Sequence, residues 1–90
     1  MEVTRTVTIC NPSGLHARPC HAIASTASGF ESELRVASSG LEVNGKSILE
    51  LMTLCAPCEA TLSFTARGHD ADALIARLAA LVEAGFDELS

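Results

Sequence analysis

The chain has no tryptophan and no tyrosine, and its only aromatic residues are three phenylalanines. A core must therefore be aliphatic, filled by Leu, Ile, Val and Ala rather than by large rings. Basic residues are also few. Arg5, Arg18, Arg35, Lys46, Arg67 and Arg77 stand apart from one another against eleven acidic residues, giving a net charge of −5. That balance argues against nucleic-acid binding, which rests on clustered positive charge facing phosphates. No apolar run approaches the roughly 20 residues that cross a bilayer. Met1 to Thr8 alternates with polar residues instead of forming the apolar centre of an export signal. Neither membrane insertion nor export is expected, so a cytoplasmic location follows. There the four cysteines are expected as thiols, not as a disulfide framework.

What is present is enough for a fold. Nearly half of the 90 residues are apolar, which excludes a disordered chain, and the length predicts one domain over residues 1–90. Val3, Val7 and Ile9 alternate with Thr4, Thr6 and Thr8, with Arg5 on the apolar side; this is a strand pattern. Asn11-Pro12-Ser13-Gly14 is dense turn chemistry. Ala17 to Ser28 reads as an alanine-rich helix, with Gly29 suited to a left-handed cap. Two short strands follow, Ser32 to Ala37 and Leu41 to Val43, then a turn at Asn44-Gly45. Ser47 to Leu54 predicts a short helix, and Ser47 with Glu50 fits a capping box. Ala60, Leu62, Phe64 and Ala66 alternate along the clearest strand. Asp70 is placed to cap a last helix, along which Leu74, Ile75, Leu78, Leu81, Val82 and Phe86 form one stripe. The order βαββαβα predicts an α+β fold, with helices on one face of a mostly antiparallel sheet.

The chemistry concentrates in Asn11-Pro12-Ser13-Gly14-Leu15-His16-Ala17-Arg18-Pro19. A strand ends, a turn containing glycine follows, and a helix starts near His16. Amides at a helix start lack intrahelical partners and carry partial positive charge, so they receive phosphate well. Pro19 sits in the first turn, where its missing N–H costs no helix bond. A phosphate on the His16 ring would face the amides of Ala17 and Arg18, and the Arg18 guanidinium adds a bidentate fork. A neutral imidazole nitrogen is a competent nucleophile near pH 7. A single histidine at such a position is also commonly a mere polar cap.

This segment resembles the active-site sequence of the HPr family, the histidine-containing phosphocarriers of the bacterial sugar phosphotransferase system. Asn44-Gly45-Lys46-Ser47-Ile48-Leu49-Glu50-Leu51-Met52 resembles that family's second signature, around a regulatory serine. The resemblance spans about Val3 to Phe86 and implies an open-faced β-sandwich, a four-stranded antiparallel sheet with three helices on one face. It implies that His16 accepts phosphate at Nδ1 from phosphorylated Enzyme I and donates it to EIIA-type domains, with Arg18 as phosphate partner. Such a protein is a stoichiometric carrier, not an enzyme, and is expected to work as a monomer without cofactor or metal. The resemblance also implies Ser47 as a target of HPr kinase/phosphatase. It further implies docking through the short helix, by Ile48, Leu49 and Met52. Cys20 and His21 follow Pro19 and are expected by position at the rim of the His16 site, Cys20 among the docking residues, although they replace residues commoner in the family.

Two other readings stay open. One is a regulatory binding module switched at Ser47, in which His16 is secondary. The other is a redox or metal module at Cys55-Ala56-Pro57-Cys58, with Cys10, Cys20, His21 and His69 as possible further ligands. Against it, this pair follows a helix instead of starting one, so nothing lowers the thiol pKa, and zinc wants more ligands. The same stretch departs from the family, which usually has glycine near Cys55 and near Glu59.

Overall fold

The alternating segments pair as their period-two pattern requires. The computed structural model describes Met1–Asp87. Its elements are β1 (Glu2–Thr8), α1 (Ala17–Ser28), β2 (Glu33–Ser38), β3 (Leu41–Asn44), α2 (Ile48–Met52), β4 (Thr61–Arg67) and α3 (Ala71–Glu83), followed by a 3₁₀ turn at Gly85–Asp87. The four strands form one antiparallel sheet in the order β1-β4-β2-β3. This is the α+β arrangement that the element order predicts and the open-faced sandwich that the family resemblance implies.

Register sets which side chains share a face. Val7 lies opposite Leu62, and the row Phe64, Val36 and Val43 crosses β4, β2 and β3 on the core side. Phe64 is fully buried in the middle of the sheet and is the largest of the fully buried side chains. The opposite face is polar and open. There Thr4 and Thr65 meet at their hydroxyls, 3.2 Å apart, and Arg67 donates to Glu2 at 2.8 Å. Arg5 shares the core-side parity of Val7, yet its long stem carries the charge outward to Glu83 at the end of α3, at 3.4 Å.

The helices bury one stripe each. α1 turns Pro19, Cys20, Ile23, Ala24 and Ala27 inward, and α3 turns Leu74, Ile75, Leu78 and Val82 inward. Burying side chains of this size contributes about 1.5–3 kcal/mol each, relative to exposure, and so dominates the stability.

Four local expectations are corrected. Gly29 caps α1 in right-handed geometry, at φ −79°, so no left-handed cap forms there. Phe86 is buried, but it lies beyond α3, in the 3₁₀ turn with φ 56°, and so does not extend the helical stripe. Asp70 precedes α3 but makes no side-chain cap. Its carboxylate instead accepts from the amides of Glu31 and Ser32, each at 2.9 Å, and from the Ser32 hydroxyl. It therefore ties the end of β4 to the start of β2, and these donors hold its pKa down at about 2. Only half of the Ser47–Glu50 box forms. The Ser47 hydroxyl accepts from the Glu50 amide at 3.2 Å, while the Glu50 carboxylate accepts from the Asn44 amide at 3.0 Å.

Candidate functional site

The site is built where β1 runs out. Ile9 still pairs beyond the strand, donating to Ala60 O at 2.9 Å and accepting from Glu59 N at 2.8 Å. Two residues thus face one, as in a bulge, and Glu59 takes φ 75°. The chain then reverses. Gly14 N donates to Asn11 O at 3.0 Å, and Asn11 Nδ2 donates back to Gly14 O at 2.8 Å. Gly14 has φ +68°, and a Cβ there would lie 2.6 Å from Ala56 O and 2.9 Å from Pro57 Cα. Both its conformation and its surroundings therefore require glycine. The next residue, Leu15, is buried, and its amide donates to Ala56 O at 2.8 Å. The Cys55–Cys58 stretch is thus a strut beneath the turn.

His16 follows at the N-cap of α1, with extended backbone (φ −98°, ψ −167°) and no side-chain bond capping the helix. Its amide donates to Gly14 O at 3.1 Å. The helical ladder begins with Cys20 N donating to His16 O at 3.1 Å, so the amides of Ala17 and Arg18 have no intrahelical partner. His16 is partly exposed, and Ala17 and Arg18 are at the surface, while Pro19 and Cys20 point into the core. A histidine ring, two outward amides and a guanidinium-bearing residue therefore share the positive end of a twelve-residue helix.

Cys20 corrects the sequence reading. It is 0 % exposed, its thiol points to Leu15 O at 3.9 Å, and burial pushes its pKa up to about 11. It packs beneath the site and cannot touch a docking partner. His21 is exposed and lies within 3.4 Å of the Ser25 hydroxyl, one turn along α1.

The second motif starts α2, which packs against α1. Leu51 and Leu54 are buried, whereas Ile48, Leu49 and Met52 are 36 %, 80 % and 42 % exposed. Residues spaced along so short a helix cannot all reach the core, and these three form an apolar patch. Ser47 is partly buried, with its hydroxyl engaged at the cap.

The four cysteines are free thiols. Among the described residues no three His, Cys, Asp or Glu side chains gather as a metal site. Cys55 and Glu59 both hold positive φ, 48° and 75°. Positive φ is the conformation that glycine adopts without strain, and these are the neighbourhoods where the resemblance places the family's glycines. Asn11 and the Ala56–Pro57 strut are what the sequence reading missed. The only signals for them were the asparagine three residues before Gly14 and the missing glycines.

The fold and the site together define a small phosphocarrier of the phosphotransferase system, and the chain belongs to the HPr family. That family's profile, described as the PTS HPr component phosphorylation site, matches residues 3–84. Among individual relatives, the chain is similar to the phosphocarrier protein NPr of Shewanella violacea. The two are 38% identical over 89 residues, which cover 99% of this chain and 98% of the relative. It is also 39% identical over 88 residues to a multiphosphoryl transfer protein of Vibrio cholerae, covering 94% of this chain and 22% of that longer protein. The structure of HPr-C-His from Thermoanaerobacter tengcongensis superposes with a TM-score of 0.92 at 35% identity, covering 98% of this chain and 99% of that one.

Proposed function

We propose that His16 carries the phosphoryl group. Phosphorylated Enzyme I supplies it to Nδ1, and an EIIA-type domain removes it. One observation carries this reading: the ring stands at the N-cap of α1, where the ladder starts only at Cys20 and leaves the Ala17 and Arg18 amides facing outward. A phosphoramidate formed there meets fixed N–H donors and the positive end of the helix dipole. The Arg18 guanidinium supplies the mobile part of the cradle, since its planar fork can meet two phosphate oxygens at once. These contacts hold the anion without a covalent step of their own. The chain is then a stoichiometric carrier, consumed and regenerated once per transfer.

Docking falls to Ile48, Leu49 and Met52. Their exposure beside α1 suits transient contact with partners that must bind and leave quickly. Ser47 is the regulatory site in this reading, as a target of HPr kinase/phosphatase. A phosphate on its hydroxyl sits favourably at the start of α2, where Glu50 N already donates to the Ser47 oxygen, yet close to the Glu50 carboxylate, whose charge repels it. The added negative charge beside the docking patch discourages contact with an acidic or apolar partner surface and so weakens transfer. The chain works as one HPr-like domain over residues 1–90, as a monomer in the cytoplasm; among the described residues no helix is long and apolar enough to cross a membrane.

Incubation with Enzyme I and phosphoenolpyruvate tests the main reading. The expected product carries one acid-labile, alkali-stable phosphate, which His16→Ala does not acquire. A phosphate retained by His16→Ala would refute it.

A further inference from the structure

We infer that Asn11 is a positioning residue for the phosphoryl transfer at His16, acting through the carbonyl of Gly14. The inference rests on the proposed role of His16. Asn11 is 1 % exposed, in the turn three residues beyond β1, where a small apolar side chain would serve packing alone. A buried amide persists there only if its bonds repay its desolvation. Its Nδ2 donates to Gly14 O at 2.8 Å, and the same carbonyl accepts the His16 amide at 3.1 Å. From the other side, Asn11 O accepts Gly14 N at 3.0 Å. One residue thus grips both ends of Gly14, two residues before the ring that takes the phosphate.

Gly14 is the flexible point of the turn, because glycine populates positive φ as readily as negative. The Leu15 amide, on Ala56 O at 2.8 Å, already ties one side of the planar Gly14–Leu15 peptide. Without the Asn11 donor that single bond alone resists its rotation, and the His16 amide moves with the carbonyl. The Asn11 amide removes that freedom. It keeps the His16 N–H turned back onto the loop, so that the outward donors at the helix start are those of Ala17 and Arg18. The ring and the two amides are thereby held in one relative placement before phosphate arrives, which saves reorganisation during transfer. Turn chemistry alone does not demand asparagine, since aspartate or serine also opens such turns. Only the amide offers Gly14 O a donor with this reach; an aspartate of the same shape would present an acceptor to an acceptor.

The test measures kcat and KM of Enzyme I with this chain as phosphoryl acceptor. Asn11→Ala and Asn11→Asp are compared with the natural chain at a temperature where each is folded. Because small misplacements of reacting groups are costly, kcat is expected to fall about tenfold in both variants, with KM within about twofold. A KM rise at constant kcat, or no change in either, would overturn the inference, although melting temperature falls in every case. A measurement on the natural chain guards against variants that do not fold. The NMR coupling across the Asn11 Nδ2–Gly14 carbonyl bond should be present both before and after phosphorylation, and its absence in either state refutes the positioning role. If the natural chain takes no phosphate on His16, the underlying reading fails as well. If it does, and Asn11→Ala retains full kcat, only this inference fails.

Discussion

Replacing Gly14 by alanine tests how firmly the Ala56–Pro57 strut holds the His16 turn. Three costs apply. An L-residue at φ +68° costs about 1 kcal/mol net, once the stiffer unfolded chain is credited. The new Cβ would sit 2.6 Å from Ala56 O and 2.9 Å from Pro57 Cα. Both are backbone atoms, so the loops must part, at about 1–3 kcal/mol. Parting them stretches the 2.8 Å bond from Leu15 N to Ala56 O, worth about 1 kcal/mol. Together these reach about 3–5 kcal/mol, against the roughly 5–13 kcal/mol that holds a chain of this length folded. A thermal melt followed by circular dichroism should show Tm lowered by about 10–30 °C. Gly40→Ala is the control. Gly40 also has positive φ, +84°, but a Cβ there meets nothing within 4 Å, so only the conformational cost of about 1 kcal/mol remains. Equal losses of Tm in the two variants would refute the strut.

The other predictions probe separate parts of the account. Glu59→Gly should stabilise the chain by about 0.5–1 kcal/mol, because it relieves a non-glycine residue at φ 75°; a lower Tm in that variant would contradict it. Asp70 has its folded pKa lowered to about 2, so its contribution is complete above the unfolded value near 4 and is lost as pH falls from about 4 to about 2. Asp70→Asn should therefore be less stable at neutral pH and lack that acid-induced loss in urea titrations. Ile48→Glu should leave Tm nearly unchanged, because Ile48 is exposed, while raising KM for transfer from Enzyme I; unaltered transfer removes α2 from the docking face. In the native chain, iodoacetamide should modify exposed Cys10 and Cys55 well before Cys20, whose burial raises its pKa to about 11. Early labelling of Cys20, read by peptide mass spectrometry, would show the core reading to be wrong.

Much of this architecture was legible because it depends on local spacing. The limits of α1, the inward stripe of α3 and the alternation of β4 follow from periods of 3.6 and 2 that the backbone imposes. The failures came where a distant partner overrode a local rule. Asp70 stands where a cap belongs, but the amides of Glu31 and Ser32 compete for its carboxylate, and nothing near residue 70 announces them. Phe86 keeps helical spacing with Val82, yet the chain leaves the helix at Gly85 and brings the ring back to the core through a positive φ. Cys20 adjoins Pro19 in sequence, near His16. The direction of α1 turns both inward, and a residue one turn from a site is not thereby at its rim. At the site itself, the histidine, the arginine and the glycine turn were readable as chemistry. The grip of Asn11 on Gly14 and the support from Ala56 were not, because both depend on contacts made only after the chain has folded.

The most direct measurement is nitrogen-15 NMR of the histidine side chains while Enzyme I and phosphoenolpyruvate supply phosphate. The His16 ring alone should change, with substitution at Nδ1, while His21 and His69 keep their signals. Phosphate on either of those rings, or an unaltered His16 spectrum in a chain that has gained phosphate, would contradict it.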